Sequence, residues 1–190
     1  VIRQAVNQAM KILGRQFVMG ATISAALSRA RKYESMGYTY SYDMLGEAAR
    51  TAEDAERYFK AYADSIHAIG RAAKGRGPIA SPGVSVKLSA LHPHYNFAHY
   101  DQVMERLVPD LLGLCLKAKT HGIALTIDAE ETDRLDLSLT VIEKVVPFDI
   151  KRVFYIYGVD DSVRGKHRHH TTIQAAVCIA GSCKIMNHDG

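Results

Sequence analysis

Apolar positions along the chain recur at helical spacing in five segments. The first is residues 10–19, and the second follows Thr22, whose side chain can cap a helix. The third begins at Thr51, with Asp54 completing an approximate capping box. Pro109 lies inside the fourth and is expected to kink it, because proline removes a backbone donor. The fourth and fifth segments have apolar stripes at Val103, Leu107, Leu111 and Leu114, and at Leu135, Leu139, Ile142 and Val146.

Three runs rich in strand-forming residues lie between these helices, at residues 38–42, 84–88 and 123–127. Tyr38, Tyr40 and Tyr42 alternate in the first run, so they are expected to share one strand face and to serve packing. Strands that alternate with helices predict a parallel sheet covered by helices, which is the α/β class. The spacing of roughly 40 residues favours a (β/α)8 barrel, and the chain would supply its first three or four units.

Polar residues stand where each predicted strand ends. They are Asp43 after the first strand, Lys87 at the second, and Asp128, Glu130 and Glu131 after the third. Functional groups of a (β/α)8 barrel gather at the carboxyl ends of its strands, so these side chains predict a site. Lys87 is unusual because Val86 and Leu88 flank it, and a buried ammonium is costly unless it is paired.

Two simpler interpretations remain open for these residues. Lys87 could form a purely structural ion pair with Asp128, since structural pairs also place charges inside proteins. Glu130 and Glu131 precede a predicted helix, and at least one of them is expected to favour its positive end. His92, His94 and His99 lie close in sequence, but their spacing is not that of a metal triad, and a loop histidine is usually solvated.

Composition and motifs exclude several classes of protein. Hydrophobic residues make up 47% and charged residues 23% of the 190, and the net charge is only +4 with no basic patch, so no nucleic-acid contact is predicted. Three cysteines without a C-x-x-C pair argue against a zinc module and favour a reducing compartment. The chain has no dinucleotide, phosphate-loop, H-E-x-x-H or G-x-S-x-G motif. The N-terminus has neither Met nor a signal pattern, so a longer parent protein is expected.

Four longer motifs carry a family resemblance. They are residues 14–20 (GRQFVMG), 40–49 (YSYDMLGEAA), 85–93 (SVKLSALHP) and 127–131 (IDAEE). In this order they resemble the proline dehydrogenase domain of the bacterial bifunctional proline utilization A proteins. The resemblance covers the chain from about Val1 to about Val146.

The resemblance implies a distorted (β/α)8 barrel around FAD that oxidises L-proline to 1-pyrroline-5-carboxylate, with hydride passing to the flavin. It implies that Lys87 and Asp128 are catalytic, and that both contact the cofactor together with Ala129. It also implies that Asp43, Met44 and Leu45 line the substrate pocket. No metal is implied.

The resemblance further implies partners beyond this chain. Electrons would pass to a quinone at the membrane surface, and the remainder of the barrel and an aldehyde dehydrogenase domain would follow in the parent protein. The location implied is the cytoplasm, with peripheral contact at the inner membrane.

The C-terminal part does not fit the family. We therefore divide the chain into a partial barrel, residues 1–148, and a divergent tail, residues 149–190, expected to be out-of-frame or disordered. Two alternatives remain: a non-catalytic truncated remnant, and a metal-binding or interaction module. The tail concentrates histidines and cysteines without zinc-module spacing, at His167, His169, His170, His188, Cys178 and Cys183.

Overall fold

The structure, a computed structural model, describes residues 18–44 and 46–145 together with Arg3, Val6 and Gly14. Helices and strands alternate in this part of the chain after an opening helix. In chain order the elements are α1 (Ile23–Glu34), β1 (Ser41–Asp43), α2 (Ala52–Ala73), β2 (Gly83–Val86), α3 (Tyr100–His121), β3 (Leu125–Ile127) and α4 (Leu135–Val145). Short 3-10 helices lie at Leu88–Ala90, Phe97–His99 and Thr132–Arg134.

The helices begin and end at the capping residues that the sequence predicts. Thr22 caps α1 by accepting a hydrogen bond from the Ala25 amide. Thr51 and Asp54 form a reciprocal capping box at the start of α2, in which each side chain accepts from the backbone of the other residue. Gly122 ends α3 in the left-handed conformation, with φ +62°, which glycine adopts without steric cost.

The three strands form a parallel sheet in the order β1-β2-β3. The predicted α/β architecture, a parallel sheet with covering helices, is confirmed. Tyr42 pairs with Val84 in register, and Val84 pairs with Leu125. Because successive side chains point to opposite faces of a strand, these residues share one face and their neighbours share the other.

The hydrophobic core lies between the helices and the face that Val84 and Val86 share. Both valines are fully buried. Burying a large aliphatic side chain stabilises a fold by about 1.5–3 kcal/mol, so the α2–α3 layer anchors the sheet. The helix residues that are fully buried with them are Tyr62, Ile66 and Ile69 of α2 and Leu107, Leu111 and Leu114 of α3.

Some predicted boundaries need correction. The strands are shorter than predicted, and Leu88 begins a 3-10 helix instead of ending β2. Pro109 lies inside α3 as predicted, and the kink expected there stays a prediction. Only Tyr42 lies in β1; Tyr40, just before the strand, stacks on it with ring centroids 6.0 Å apart, and Tyr38 packs edge-on against Tyr33 of α1. The predicted helix at 10–19 and the tail fall almost entirely outside the described residues.

Tyr42 offers a stability prediction. Its hydroxyl is buried and finds no hydrogen-bond partner among the described residues. A buried hydroxyl without a partner is unfavourable, so Tyr42→Phe should leave the free energy of unfolding unchanged or raise it by about 1 kcal/mol at neutral pH. Burial, with the nearby Glu34 and Tyr40, raises the pKa of Tyr42 from 10.0 to about 12.

The pH dependence of this effect has a definite sign. A raised pKa favours the protonated phenol in the folded state, so stability falls as the pH rises from 10.0 towards about 12. The Tyr42→Phe variant should lose less stability than the parent between about pH 8 and about pH 11. Urea unfolding at the two pH values is the check, and equal losses in both proteins would contradict this assignment.

Candidate active site

Three charged side chains meet at the carboxyl ends of the strands. The Lys87 ammonium contacts Asp43 Oδ1 at 2.7 Å and Asp128 Oδ2 at 3.0 Å. Its side chain is 16% exposed, whereas those of Asp43 and Asp128 are 45% and 27% exposed. The three predicted strand-end residues therefore form one ion group that spans all three strands, which we call the strand-end triad.

The triad keeps its lysine charged. Burial alone would lower the pKa of Lys87, but hydrogen bonds to Asp43 and Asp128 and their negative charges outweigh it, so the pKa lies above its ordinary value. The Lys87 backbone N–H also donates to the hydroxyl of Tyr62, at 3.1 Å. Tyr62 is buried in α2 and its pKa is raised, chiefly by that burial. Helix α2 thus fixes the point where β2 ends.

A layer of small hydroxyl side chains continues the triad's face down the sheet. Ser41 and Ser85 lie on neighbouring strands with their Oγ atoms 3.1 Å apart, and Thr126 is the register partner of Ser85 on β3. The inward face of a (β/α)8 barrel is usually filled by branched aliphatic side chains. Here that face is polar and its side chains are short, so it has room and hydrogen-bonding groups for a polar ligand.

The two glutamates after β3 have different roles. Glu131 precedes the short helix Thr132–Arg134 and pairs with Arg134 at 3.1 Å, so it lies near a helix start as predicted for at least one of them. Glu130 instead reaches across to the loop after β2. Its carboxylate accepts from the Ser89 amide at 2.9 Å and from the Ser89 hydroxyl. Sequence reasoning missed Ser89, because its contact with Glu130 depends on how two strands align.

The other predicted site residues lie nearby. Met44 follows Asp43, and its sulfur accepts a hydrogen bond from Ser65 of α2 at 2.7 Å. Ala129 is exposed beside Asp128. Leu45 falls outside the described residues. The assignment of Met44 and Leu45 to a substrate pocket, and of Ala129 to a cofactor, stays a prediction.

The histidines after β2 form no metal centre. His92 is buried, which corrects the expectation of a solvated loop residue, and its Nδ1 accepts from the His94 amide at 3.2 Å. Burial lowers the pKa of His92. The rings of His94 and His99 stack with centroids 4.7 Å apart. Within the part of the chain that the structure describes, no three potential ligands converge to hold a metal.

These features define an α/β protein with a parallel sheet and a charged site at its strand ends. Residues 26–159 match the proline dehydrogenase family. The chain belongs to the proline dehydrogenase family.

Curated and structural relatives agree with this assignment. The bifunctional protein PutA of Salmonella typhimurium is 56% identical over 145 residues, which are 76% of this chain and 11% of that protein. A crystal structure of a Bradyrhizobium japonicum proline utilization A mutant matches with a TM-score of 0.64 and 49% identity, covering 78% of this chain and 15% of that one. The chain thus spans about a tenth of the length of the curated relative.

A relative of another kind also matches. The TDP-4-oxo-6-deoxy-alpha-D-glucose-3,4-oxoisomerase of Aneurinibacillus thermoaerophilus is 45% identical over 56 residues, which are 28% of this chain and 40% of that enzyme. The 28% of this chain matched to the oxoisomerase and the 76% matched to the Salmonella protein add up to more than the whole chain. The two matched segments therefore overlap. Among the described helices, none has the length and apolar composition needed to cross a bilayer.

Proposed function

We propose that this chain is the first part of a flavin-dependent proline dehydrogenase, which oxidises L-proline to 1-pyrroline-5-carboxylate. The observation that carries the proposal is the strand-end triad, a charged lysine held between Asp43 and Asp128 on the inward face of the sheet. Family membership supports the same reaction. Residues 1–148 would form the first units of a (β/α)8 barrel, and the rest of the parent protein would close it.

The residues present fit FAD as the cofactor. The inward face has the short side chains Ser41, Ser85 and Thr126, and such a face leaves space that branched residues would fill. At its upper end Lys87 offers a positive charge to an anionic group. We assign Lys87, Asp128 and Ala129 to cofactor binding. Bound FAD would supply the hydride acceptor that the amino acid side chains lack.

The triad would act mainly through charge and position. Lys87 retains its proton because two carboxylates raise its pKa, so it presents a fixed positive charge at neutral pH. A preorganised charge stabilises negative charge in a transition state without having to reorient. Asp43, with Met44 and Leu45, would line the substrate pocket, and Asp128 would lie on its opposite side.

The remaining partners follow from the family resemblance. A quinone at the membrane surface would reoxidise the cofactor, and an aldehyde dehydrogenase domain would follow in the parent protein. The relatives are named bifunctional, which supports a second catalytic domain there. We propose the cytoplasm, with peripheral membrane contact, as the location.

The experiment joins residues 1–145 to the remaining barrel of a PutA relative and purifies the resulting protein. We expect a yellow protein whose visible flavin band bleaches when L-proline is added without an electron acceptor. D-proline is the matched control and should leave the band unchanged. A flavin-loaded protein that L-proline does not bleach would contradict the proposed reaction, and failure to retain flavin would contradict the proposed cofactor site.

A second candidate concerns the tail, residues 149–190. We propose that this segment derives from a relative of the sugar-nucleotide oxoisomerase. The observation that favours it is 45% identity over 56 residues, which an out-of-frame reading does not produce. The proline dehydrogenase family match ends at residue 159, so the chain beyond it is left for a different family, and a 56-residue match must also extend into the part that the family covers. The out-of-frame interpretation of 149–190 stays the competing prediction.

Sequencing the native transcript across codons 130–190 separates the two interpretations. The oxoisomerase proposal expects one uninterrupted reading frame that continues beyond codon 190 into further oxoisomerase-like sequence. A frame that returns to proline dehydrogenase sequence after a single insertion or deletion would overturn it.

A further inference from the structure

A second set of contacts joins the loops that follow the three strands, just beyond the triad. Ser89 and Glu130 each lie two residues beyond a triad member, Lys87 and Asp128 respectively. The Glu130 carboxylate accepts two hydrogen bonds from Ser89, one from its amide at 2.9 Å and one from its hydroxyl. Ser89 is buried, so its amide and hydroxyl have little access to water, and Glu130 replaces that water.

Ser89 also accepts hydrogen bonds from the loop after β1. Its hydroxyl oxygen accepts from the Ala48 amide at 3.1 Å, and its carbonyl accepts from the Ala49 amide at 2.9 Å. Ala48 has φ +55°, a left-handed conformation that an alanine rarely adopts unless its surroundings hold it there. The loop after β1 is therefore held in a strained shape by one serine, and that serine is held by Glu130.

The same loop is constrained from its other side. Gly46 has φ +130°, and a Cβ there would meet the ring of Tyr58 on α2. The Tyr58 ring therefore limits how far the loop can move towards α2. Its shape depends on the hydrogen bonds that Ser89 supplies.

We propose that Glu130 is a positioning residue for the substrate pocket, acting through Ser89 on the loop that begins at Asp43. The proposal rests on the proposed function, because it assigns substrate contact to this loop. Glu130 touches neither the triad lysine nor its two carboxylates in the contacts described above. Its influence therefore runs through the backbone of the loop and should appear in substrate binding more than in the chemical step.

The test uses the protein that joins residues 1–145 of this chain to the remaining barrel of a PutA relative. We expect Glu130→Ala to raise the KM for L-proline about tenfold while kcat changes less than about threefold, the pattern of lost ground-state binding. Glu130→Gln keeps the side-chain volume and one carbonyl acceptor, so it should give a smaller rise. Glu131→Ala is the matched control, since its exposed carboxylate contacts Arg134 outside this set, and its KM should equal that of the parent.

Two further readouts separate positioning from simple loss of structure. Because Glu130 acts through Ser89, the Ser89→Ala and Glu130→Ala effects on KM should not add in the double variant. The Ala48 and Ala49 amides should exchange with deuterium about tenfold faster in Glu130→Gln than in the parent, which needs no turnover to measure. Equal KM values in Glu130→Ala and Glu131→Ala, or unchanged exchange, would overturn the proposal. If the parent did not oxidise proline, the proposed function would fail. The exchange rates of the Ala48 and Ala49 amides would still show whether Glu130 holds the loop in place.

Discussion

Replacing Lys87 with alanine in a full-length relative should lower kcat/KM for L-proline by about 10²–10³-fold, the loss typical when one preorganised charged or hydrogen-bonding group is removed from a transition state. Lys87 is the single cation of the strand-end triad, and two carboxylates keep it protonated. Alanine would remove the positive charge and leave Asp43 and Asp128 without their cation. Under the proposed function, the two carboxylates would then repel the carboxylate of L-proline.

The effect on stability should be much smaller. Asp43 and Asp128 are partly exposed and can be hydrated when the lysine is gone, so the ion group contributes little net stability. Lys117→Ala, on the exposed surface of α3, is the control that removes a lysine without touching the triad. Steady-state kinetics and a urea midpoint on each variant make the comparison. A Lys87→Ala protein with normal turnover would show that the triad is only a structural ion pair.

A protein consisting of these 190 residues alone should show no proline dehydrogenase activity. A barrel of this kind closes with eight strands, whereas the described part of the chain contributes three, so its inward face stays open to water. A reacting group on that face would be surrounded by water, which screens the charge of Lys87 and removes most of its effect.

Dye-linked proline oxidation by the purified chain, with FAD added in excess, measures this directly. The protein that joins residues 1–145 to a complete barrel serves as the positive control under the same conditions. Turnover by the 190-residue chain at a rate near that of the control would mean that the tail, residues 149–190, completes the site, and it would overturn the proposed division of the chain.

Local signals account for what could be predicted from the sequence. Thr22, Thr51 and Asp54 cap helices with side chains that act within four residues, so their roles are readable without knowing the fold. The strand-end position of Lys87 and Asp128 follows from the alternation of strands and helices, because parallel strands place their carboxyl ends on one edge. The sequence therefore allowed the prediction that these two residues meet in one ion group.

Contacts that depend on packing could not be predicted in this way. The bond between Ser89 and Glu130 requires the register of β2 against β3, and the left-handed Ala48 is held by a residue 41 positions away. The burial of His92 depends on how the loop after β2 folds over the core.

The most direct test of the central claim is a crystal structure of the completed barrel with FAD and a proline analogue that cannot be oxidised. We predict that both ligands lie on the inward face, with Lys87 Nζ within about 3 Å of an oxygen of one of them. Ligands bound elsewhere, for example in the groove between α2 and α3 that Phe59, His92 and Arg106 line, would contradict this prediction. Lys87 would then contact only Asp43 and Asp128.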